Sequence, residues 1–314
     1  MEIKKEELRV RSSDGVHTLV GNVYIPEGEA RGVLHVVHGM TEHIGRYESF
    51  MREAAERGYL CFGYDNLGHG RSVEHDAEHG YIARKDGWRY LAQDVGVFCA
   101  AACEKYGAQE LPYVLMGHSM GSFIVRLAAA RYVSPDKLII MGTGGPNGAA
   151  GAGLALIGLM KLFGRGKKFS PLLDKMAFGG YNKRFAGELE KAPSAWLTND
   201  TEIRKKYARD PYCSFKFSVS AMGDLIRLTK YSNASSWYRQ ISKDMPILLV
   251  SGALDPVGGY SKGVLTVRDR LKRSGADVKC ILYEGARHEI LNDITREQTV
   301  EDIMAFCSAE KKEK

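Results

Sequence analysis

The chain predicts an α/β protein: a mostly parallel central sheet, helices on both of its faces, and a helical insertion near the middle. Three observations predict it. Short apolar runs alternate with longer segments of helical periodicity along most of the 314 residues. One of those runs enters a tight turn whose serine is flanked by glycines two positions away on either side. Finally, the alternation is suspended over residues 143–238 and then resumes.

The elements follow in order. Residues 7–11 and 18–25 alternate polar and apolar side chains around Ser13-Asp14-Gly15, the signature of a β-hairpin with an Asp-Gly turn. Residues 32–37 form a nearly continuous apolar run, as in a strand covered on both faces, and end in His38-Gly39-Met40-Thr41-Glu42-His43. A helix is expected over 47–57, with Phe50, Met51 and Ala54 on one face and Gly58 closing it. The next strand, 59–64, runs into the glycine-punctuated turn Asp65-Asn66-Leu67-Gly68-His69-Gly70-Arg71-Ser72. Residues 88–106 are helical through Leu91, Val95, Phe98 and Ala102, stopping at Gly107.

Then comes a strand at 113–116, a sharp turn, and a helix to Tyr132, followed by a strand at 137–141. After the interruption, strands are expected at 246–251 and 278–283, with helices at 264–273 and 297–307. Right-handed crossovers put the exit loops of all these parallel strands on one edge of the sheet, where ligands bind. The core is therefore 1–142 with 239–314, and the insertion, 143–238, lies over that edge as a lid.

The insertion begins with residues 149–160, which carry no polar side chain, and continues past Lys161 to Phe163. This run is too short to span a bilayer, which takes about 20 apolar residues, and Gly151, Gly153 and Gly158 weaken it as a free helix. Three readings are open: a lid helix over an apolar pocket, a core helix, or a membrane-docking segment. Lys161, Arg165, Lys167 and Lys168 suit an anionic lipid surface or a solvated helix end.

Composition bounds the function. With 44% hydrophobic and 26% charged residues and a net charge of +6, the chain is an ordinary globular protein without the clustered basic stripe that nucleic-acid binding needs. Its six cysteines form no C-x-x-C pair and no zinc-type spacing with histidine, which suits small core residues of a cytoplasmic protein. The N-terminal residues lack an apolar signal core. The expected location is cytoplasmic, with peripheral membrane contact an open reading. On oligomeric state the sequence is silent.

Gly117-His118-Ser119-Met120-Gly121 fits G-x-S-x-G, the nucleophile elbow of α/β-hydrolases, in its required context of strand before and helix after. Glycines two positions either side let strand and helix approach closely around the strained serine. A serine hydroxyl needs a base to take its proton, most often a histidine held by a carboxylate. Of nine histidines, His288 alone follows the elbow, in Gly285-Ala286-Arg287-His288-Glu289 after the last strand. His38, His43, His69 and His118 sit in their own tight turns, as structural hydrogen-bonders. The acid belongs at the exit of a strand between Ser119 and His288. Asp255, in Gly252-Ala253-Leu254-Asp255-Pro256, meets that condition, whereas Asp244 and Asp277 precede strands and lie at the wrong edge. Acyl transfer also needs backbone N–H donors for the carbonyl oxygen. Met120, directly after the serine, and Met40, in the loop after the 32–37 strand, are the candidates. No metal or organic cofactor is implied, because side chains and water suffice.

With these residues placed, the sequence resembles the monoacylglycerol lipase and lysophospholipase group of α/β-hydrolases, often called serine-aminopeptidase-like hydrolases. The matching stretches are the 38–43 loop with Arg46-Tyr47, the 65–72 turn, the elbow, Asp255-Pro256 and 285–289; the lid segment from Ser170-Pro171-Leu172-Leu173-Asp174 to Phe185, and Asp210 to Cys213, look like bacterial members. The resemblance implies an α/β-hydrolase fold and a serine carboxylester hydrolase acting on a small-molecule fatty-acyl monoester, such as a monoacylglycerol or lysophospholipid. It also implies that Glu42 and Arg46 lie near the alcohol end of the pocket. The bare residues equally allow a Glu42–Arg46 or Glu42–Arg71 ion pair that only braces the loop. Two other readings stay open. One is a short-chain or aromatic esterase or an aminopeptidase on the same triad, with Glu188, Glu190 or Asp224 holding an ammonium. The other is a non-catalytic binding module.

Overall fold

The computed structural model describes residues 3–189 and 192–310. One eight-stranded sheet organises the chain, in the order β1-β2-β4-β3-β5-β6-β7-β8. Its strands are β1 (Lys4–Arg11), β2 (Thr18–Ile25), β3 (Gly32–Val37), β4 (Tyr59–Tyr64), β5 (Tyr113–His118), β6 (Lys137–Met141), β7 (Ile247–Gly252) and β8 (Val278–Tyr283). Only β2 runs against the others, pairing antiparallel with both β1 and β4. From β4 to β8 every pairing is parallel.

The central strands β3 to β7 are largely apolar on both faces because both faces are covered. Val33, Val37, Leu115, Leu138, Ile140, Ile247 and Leu249 point into one core, with α2 (Gly87–Tyr106) and α3 (Met120–Ala129). Their neighbours Leu34, Val36, Val114, Met116, Ile139, Met141, Leu248 and Val250 point into the other, with α1 (Glu48–Glu56) and α10 (Arg296–Ser308). This period-two partition fixes register, since a slip of one residue would exchange the faces. Each fully buried Leu, Ile or Val contributes about 1.5–3 kcal/mol of transfer free energy. α9 (Lys262–Arg273) completes the crossover from β7 to β8.

The hairpin forms, but its connection is the longer loop 12–17, not a two-residue turn. Asp14 accepts the N–H groups of Val16 and His17, and Gly15 takes φ 72°. Between β6 and β7 lie α4 (Ala150–Leu162), α5 (Pro171–Phe178), α6 (Thr201–Arg209), α7 (Val219–Ser232) and α8 (Ser235–Gln240). Helix α4 packs on α7 and buries only Ala150 and Ile157. A fully enclosed core helix is thereby ruled out for the 149–160 run. No helix among the described residues is long and apolar enough to cross a membrane.

Candidate active site

β5 delivers Ser119 to the carboxyl edge of the sheet at φ 53°, ψ −119°, a conformation that L-residues adopt only under constraint. The constraint is visible. Ser119 N–H donates to Met141 O of β6 at 3.0 Å, and Ser119 O accepts Ser122 N–H at 2.9 Å in the first turn of α3. A Cβ on Gly117 would lie 2.3 Å from Gly121 O, and one on Gly121 would lie 2.1 Å from Val37 O. Both glycines of the motif are thus required by close backbone approach.

Asp255 leaves the end of β7 fully buried. Its Oδ1 accepts Val257 N–H at 2.8 Å, and its Oδ2 accepts the His288 Nδ1–H at 2.8 Å. Because the carboxylate can only accept, the proton sits on Nδ1 and His288 Nε2 keeps its lone pair. The imidazole lies over the exits of β5 and β6. His288 Cε1 would be 3.3 Å from a Cβ on Gly142, the residue after the Met141 carbonyl that anchors Ser119, and its ring centroid is 4.7 Å from that of His118. No hydrogen bond joins Ser119 Oγ to His288 in this conformation; catalytic contacts of this kind often tighten only when substrate binds.

The 38–43 loop is clamped by two neutral histidines. His38 Nδ1–H donates to Gly39 O at 2.7 Å while its Nε2 accepts Asn66 N–H at 2.9 Å. His69 Nδ1–H donates to Leu67 O at 3.0 Å while its Nε2 accepts Thr41 N–H at 3.3 Å. Burial pushes both imidazoles down, His69 to about 3, so they stay uncharged. A Cβ on Gly39 would lie 3.0 Å from Ser119 Cβ, which brings this loop against the serine. The backbone N–H groups of Met40 and Met120 have no acceptor among the described residues.

Glu42 and Arg46 sit in a buried ion network. Arg46 donates to Glu42 at 2.9 Å and to both oxygens of Glu289 at 2.6 and 2.7 Å. Glu42 also accepts Gly39 N–H and, at 2.8 Å, Tyr47 O–H. His118 Nδ1 lies 2.7 Å from Tyr47 Oη and 3.4 Å from Glu42, and its Nε2 lies 3.2 Å from His288 O. The loop-bracing reading therefore describes their contacts, through Arg46 and not through Arg71, which pairs with Asp65 and Glu7. Sequence spacing showed the Glu42–Arg46 half of the network; Glu289, 243 residues from Arg46, carries no local signal.

Burial opposes charge on His118, but the hydrogen bond and charge of Glu42, with Glu289, outweigh it and raise its pKa. Burial likewise opposes the Glu42 carboxylate, yet His118 and Arg46 hold it well below the usual range. A histidine whose folded pKa is raised adds stability that is full below the unfolded value of about 6.5 and is lost as pH rises through the folded one. Denaturant midpoints of the wild type are therefore expected to fall from about pH 6 to 9, and those of His118→Gln to fall less. Glu42→Gln takes from the buried His118 its hydrogen-bonded counter-charge and from Arg46 one of its two carboxylate partners, and is expected to cost about 3 kcal/mol.

The segment between β6 and β7 supplies groups that local patterns could not reveal. Trp196 O accepts His288 N–H at 3.4 Å, its ring centroid is 5.0 Å from the imidazole, and Leu197 O accepts Glu289 N–H at 2.8 Å. Tyr207 Oη donates to Thr41 O at 2.9 Å. Of the acids considered for an ammonium site, Glu188 pairs with Arg287 at 2.6 Å. Asp224 is buried against Gly87 at the start of α2, and burial pushes its carboxyl up to about 7. Glu190 lies outside the described residues.

Comparison with known proteins adds to this geometry. A profile described as serine aminopeptidase, S33, matches residues 28–295. The chain belongs to that family. It is a monoacylglycerol-lipase-like α/β-hydrolase, in keeping with the resemblance carried by its motifs. A monoacylglycerol lipase of Mycolicibacterium smegmatis is 25% identical over 289 residues, 92% of either chain. A thermostable carboxyl esterase of Bacillus coagulans, solved in complex with glycerol, superposes with a TM-score of 0.89 at 29% identity over 98% of both chains. The monoglyceride lipase of Saccharomyces cerevisiae, at 18% identity, shares the fold with a TM-score of 0.71 over 98% of this chain and 94% of its own.

Proposed function

We propose that this family member is a serine carboxylester hydrolase that cleaves fatty-acyl monoesters, monoacylglycerols or lysophospholipids, through an acyl-enzyme. The observation that carries the reading is the buried His288–Asp255 pair, 2.8 Å apart, on the same sheet edge as the constrained Ser119. His288 Nε2 takes the Ser119 proton as Oγ attacks the ester carbonyl. The N–H groups of Met40 and Met120 receive the developing oxyanion, a donor pair in which each member contributes about 3 kcal/mol. Collapse releases the alcohol, protonated by His288. Water, activated by the same imidazole, then frees the fatty acid. Asp255 holds the tautomer and stabilises the imidazolium. The relatives' names, a monoacylglycerol lipase and a carboxyl esterase, support an ester over an amide substrate.

Residues 143–238 act as the cap, and its outer surface meets the lipid phase. Leu159, Leu162 and Phe163 are 54, 83 and 76% exposed at the end of α4, beside Lys161 and Arg165. Apolar groups ringed by cations suit an anionic lipid surface. The double substitution Leu162→Asp with Phe163→Asp is expected to lower hydrolysis of vesicle-borne monoacylglycerol at least about tenfold, given roughly 1.5–3 kcal/mol per buried side chain, while sparing a soluble butyryl ester.

Substrate profiling tests the reading. Monoacylglycerols and lysophosphatidylcholines are compared with butyryl to palmitoyl p-nitrophenyl esters and aminoacyl anilides. Highest kcat/KM on a long-chain monoester is expected; preference for the anilides, or for the shortest ester, would refute the lipid assignment.

A further inference from the structure

Away from the triad, the fold gathers three metal-ligating side chains that sequence spacing keeps far apart. His43 lies on the loop after β3, and Asp210 and Cys213 lie 167 or more residues later, just beyond α6. One imidazole nitrogen, one carboxylate oxygen and one sulfur stand within 4.8 Å of one another. His43 Nε2 and Asp210 Oδ2 are 3.0 Å apart, near the ~3.3 Å separation of two ligands held at ~2.0 Å by one tetrahedral ion.

The positions of these donors are fixed by backbone contacts. Asp210 uses its other oxygen to accept Tyr212 N–H at 2.8 Å, and Cys213 N–H donates to Asp210 O at 3.0 Å. Cys213 is buried, while His43 and Asp210 are partly open. A cleft of about 450 Å³, lined by His43, Gly45, Arg71 and Tyr212 among others, opens the His43 side of the cluster to solvent.

We propose that His43 Nε2, Asp210 Oδ2 and Cys213 Sγ bind a divalent, borderline-soft cation such as Zn²⁺ and thereby staple residues 210–213 to the loop that holds Met40. A His–Asp pair alone would account for two of the three groups; the thiol sulfur within 4.8 Å of both adds the soft third donor on which the proposal rests. The nitrogen, oxygen and sulfur donor set favours zinc-like ions over magnesium or calcium, which take oxygen ligands. On binding, Cys213 gives its thiol proton to solvent and coordinates as thiolate. His43 coordinates as neutral imidazole with its proton on Nδ1, so one proton leaves per ion bound.

Titration of the full-length protein with Co²⁺, followed by Zn²⁺ competition, tests this. One equivalent of Co²⁺ is expected to give a near-ultraviolet thiolate charge-transfer band that Zn²⁺ abolishes. Zn²⁺ at a hundredfold excess over Kd should raise Tm by roughly 5 °C. Cys213→Ser should lose the band. His43→Gln, which leaves the thiol in place, should bind at least about tenfold more weakly and carries the same test independently. Absence of both band and Tm shift in the wild type would overturn the proposal. So would a band that survives in Cys213→Ser and vanishes when Cys99 and Cys103, whose sulfurs lie 3.9 Å apart on α2, are both changed to serine.

Discussion

Ser119→Ala is expected to lower ester turnover by about four to six orders of magnitude, to near the uncatalysed background. The size of the effect follows from the mechanism proposed for the triad. Without the hydroxyl no acyl-enzyme forms, and the His288–Asp255 pair has no nucleophile to activate. The backbone at 119 is already held at φ 53° by Met141 O, Ser122 and the tight Gly117–Gly121 approach. Alanine enters that frame without a new clash, so circular dichroism and Tm should match the wild type. A kcat within a factor of about ten of wild type, from a folded variant, would mean that the chemistry runs elsewhere.

Asp255→Asn is expected to cost about 10⁴-fold in kcat with KM little changed. Asp255 is fully buried and one oxygen is committed to Val257 N–H at 2.8 Å. An asparagine keeps that contact with its carbonyl and turns its NH₂ toward His288 Nδ1. Nδ1 must then accept, the proton moves to Nε2, and the base proposed for Ser119 is lost. The geometry survives and the tautomer does not. Single-turnover kinetics on a p-nitrophenyl ester should therefore show slow acylation with ordinary binding.

Much of the fold was legible because it rests on local rules. The strands at 32–37, 59–64, 137–141 and 278–283 lie where their apolar runs placed them; the first three are buried along their whole length, as strands covered on both faces must be. Other boundaries shifted by one to three residues: β1 starts at Lys4, three residues before the alternation, β5 continues through Gly117 to His118, and α3 stops at Ala129 rather than Tyr132. The elbow was legible because its glycines answer to hard sterics. What stayed hidden depends on long-range docking. Trp196 and Tyr207 reach the His288 and Thr41 loops from the segment between β6 and β7, and no periodicity encodes which loop they meet. The charge on Glu289 reads as a surface residue until the fold buries it against Arg46. The trio His43, Asp210 and Cys213 is invisible for the same reason.

The central claim is that Ser119 is the residue that becomes acylated. Incubation with a fluorophosphonate ester, followed by intact and peptide mass spectrometry, tests it most directly. The account predicts one phosphonyl adduct per chain, mapped to the peptide that contains Ser119, with strongly slowed labelling in Asp255→Asn and none in Ser119→Ala. Equal labelling of wild type and Ser119→Ala, or an adduct on a different serine, would contradict it.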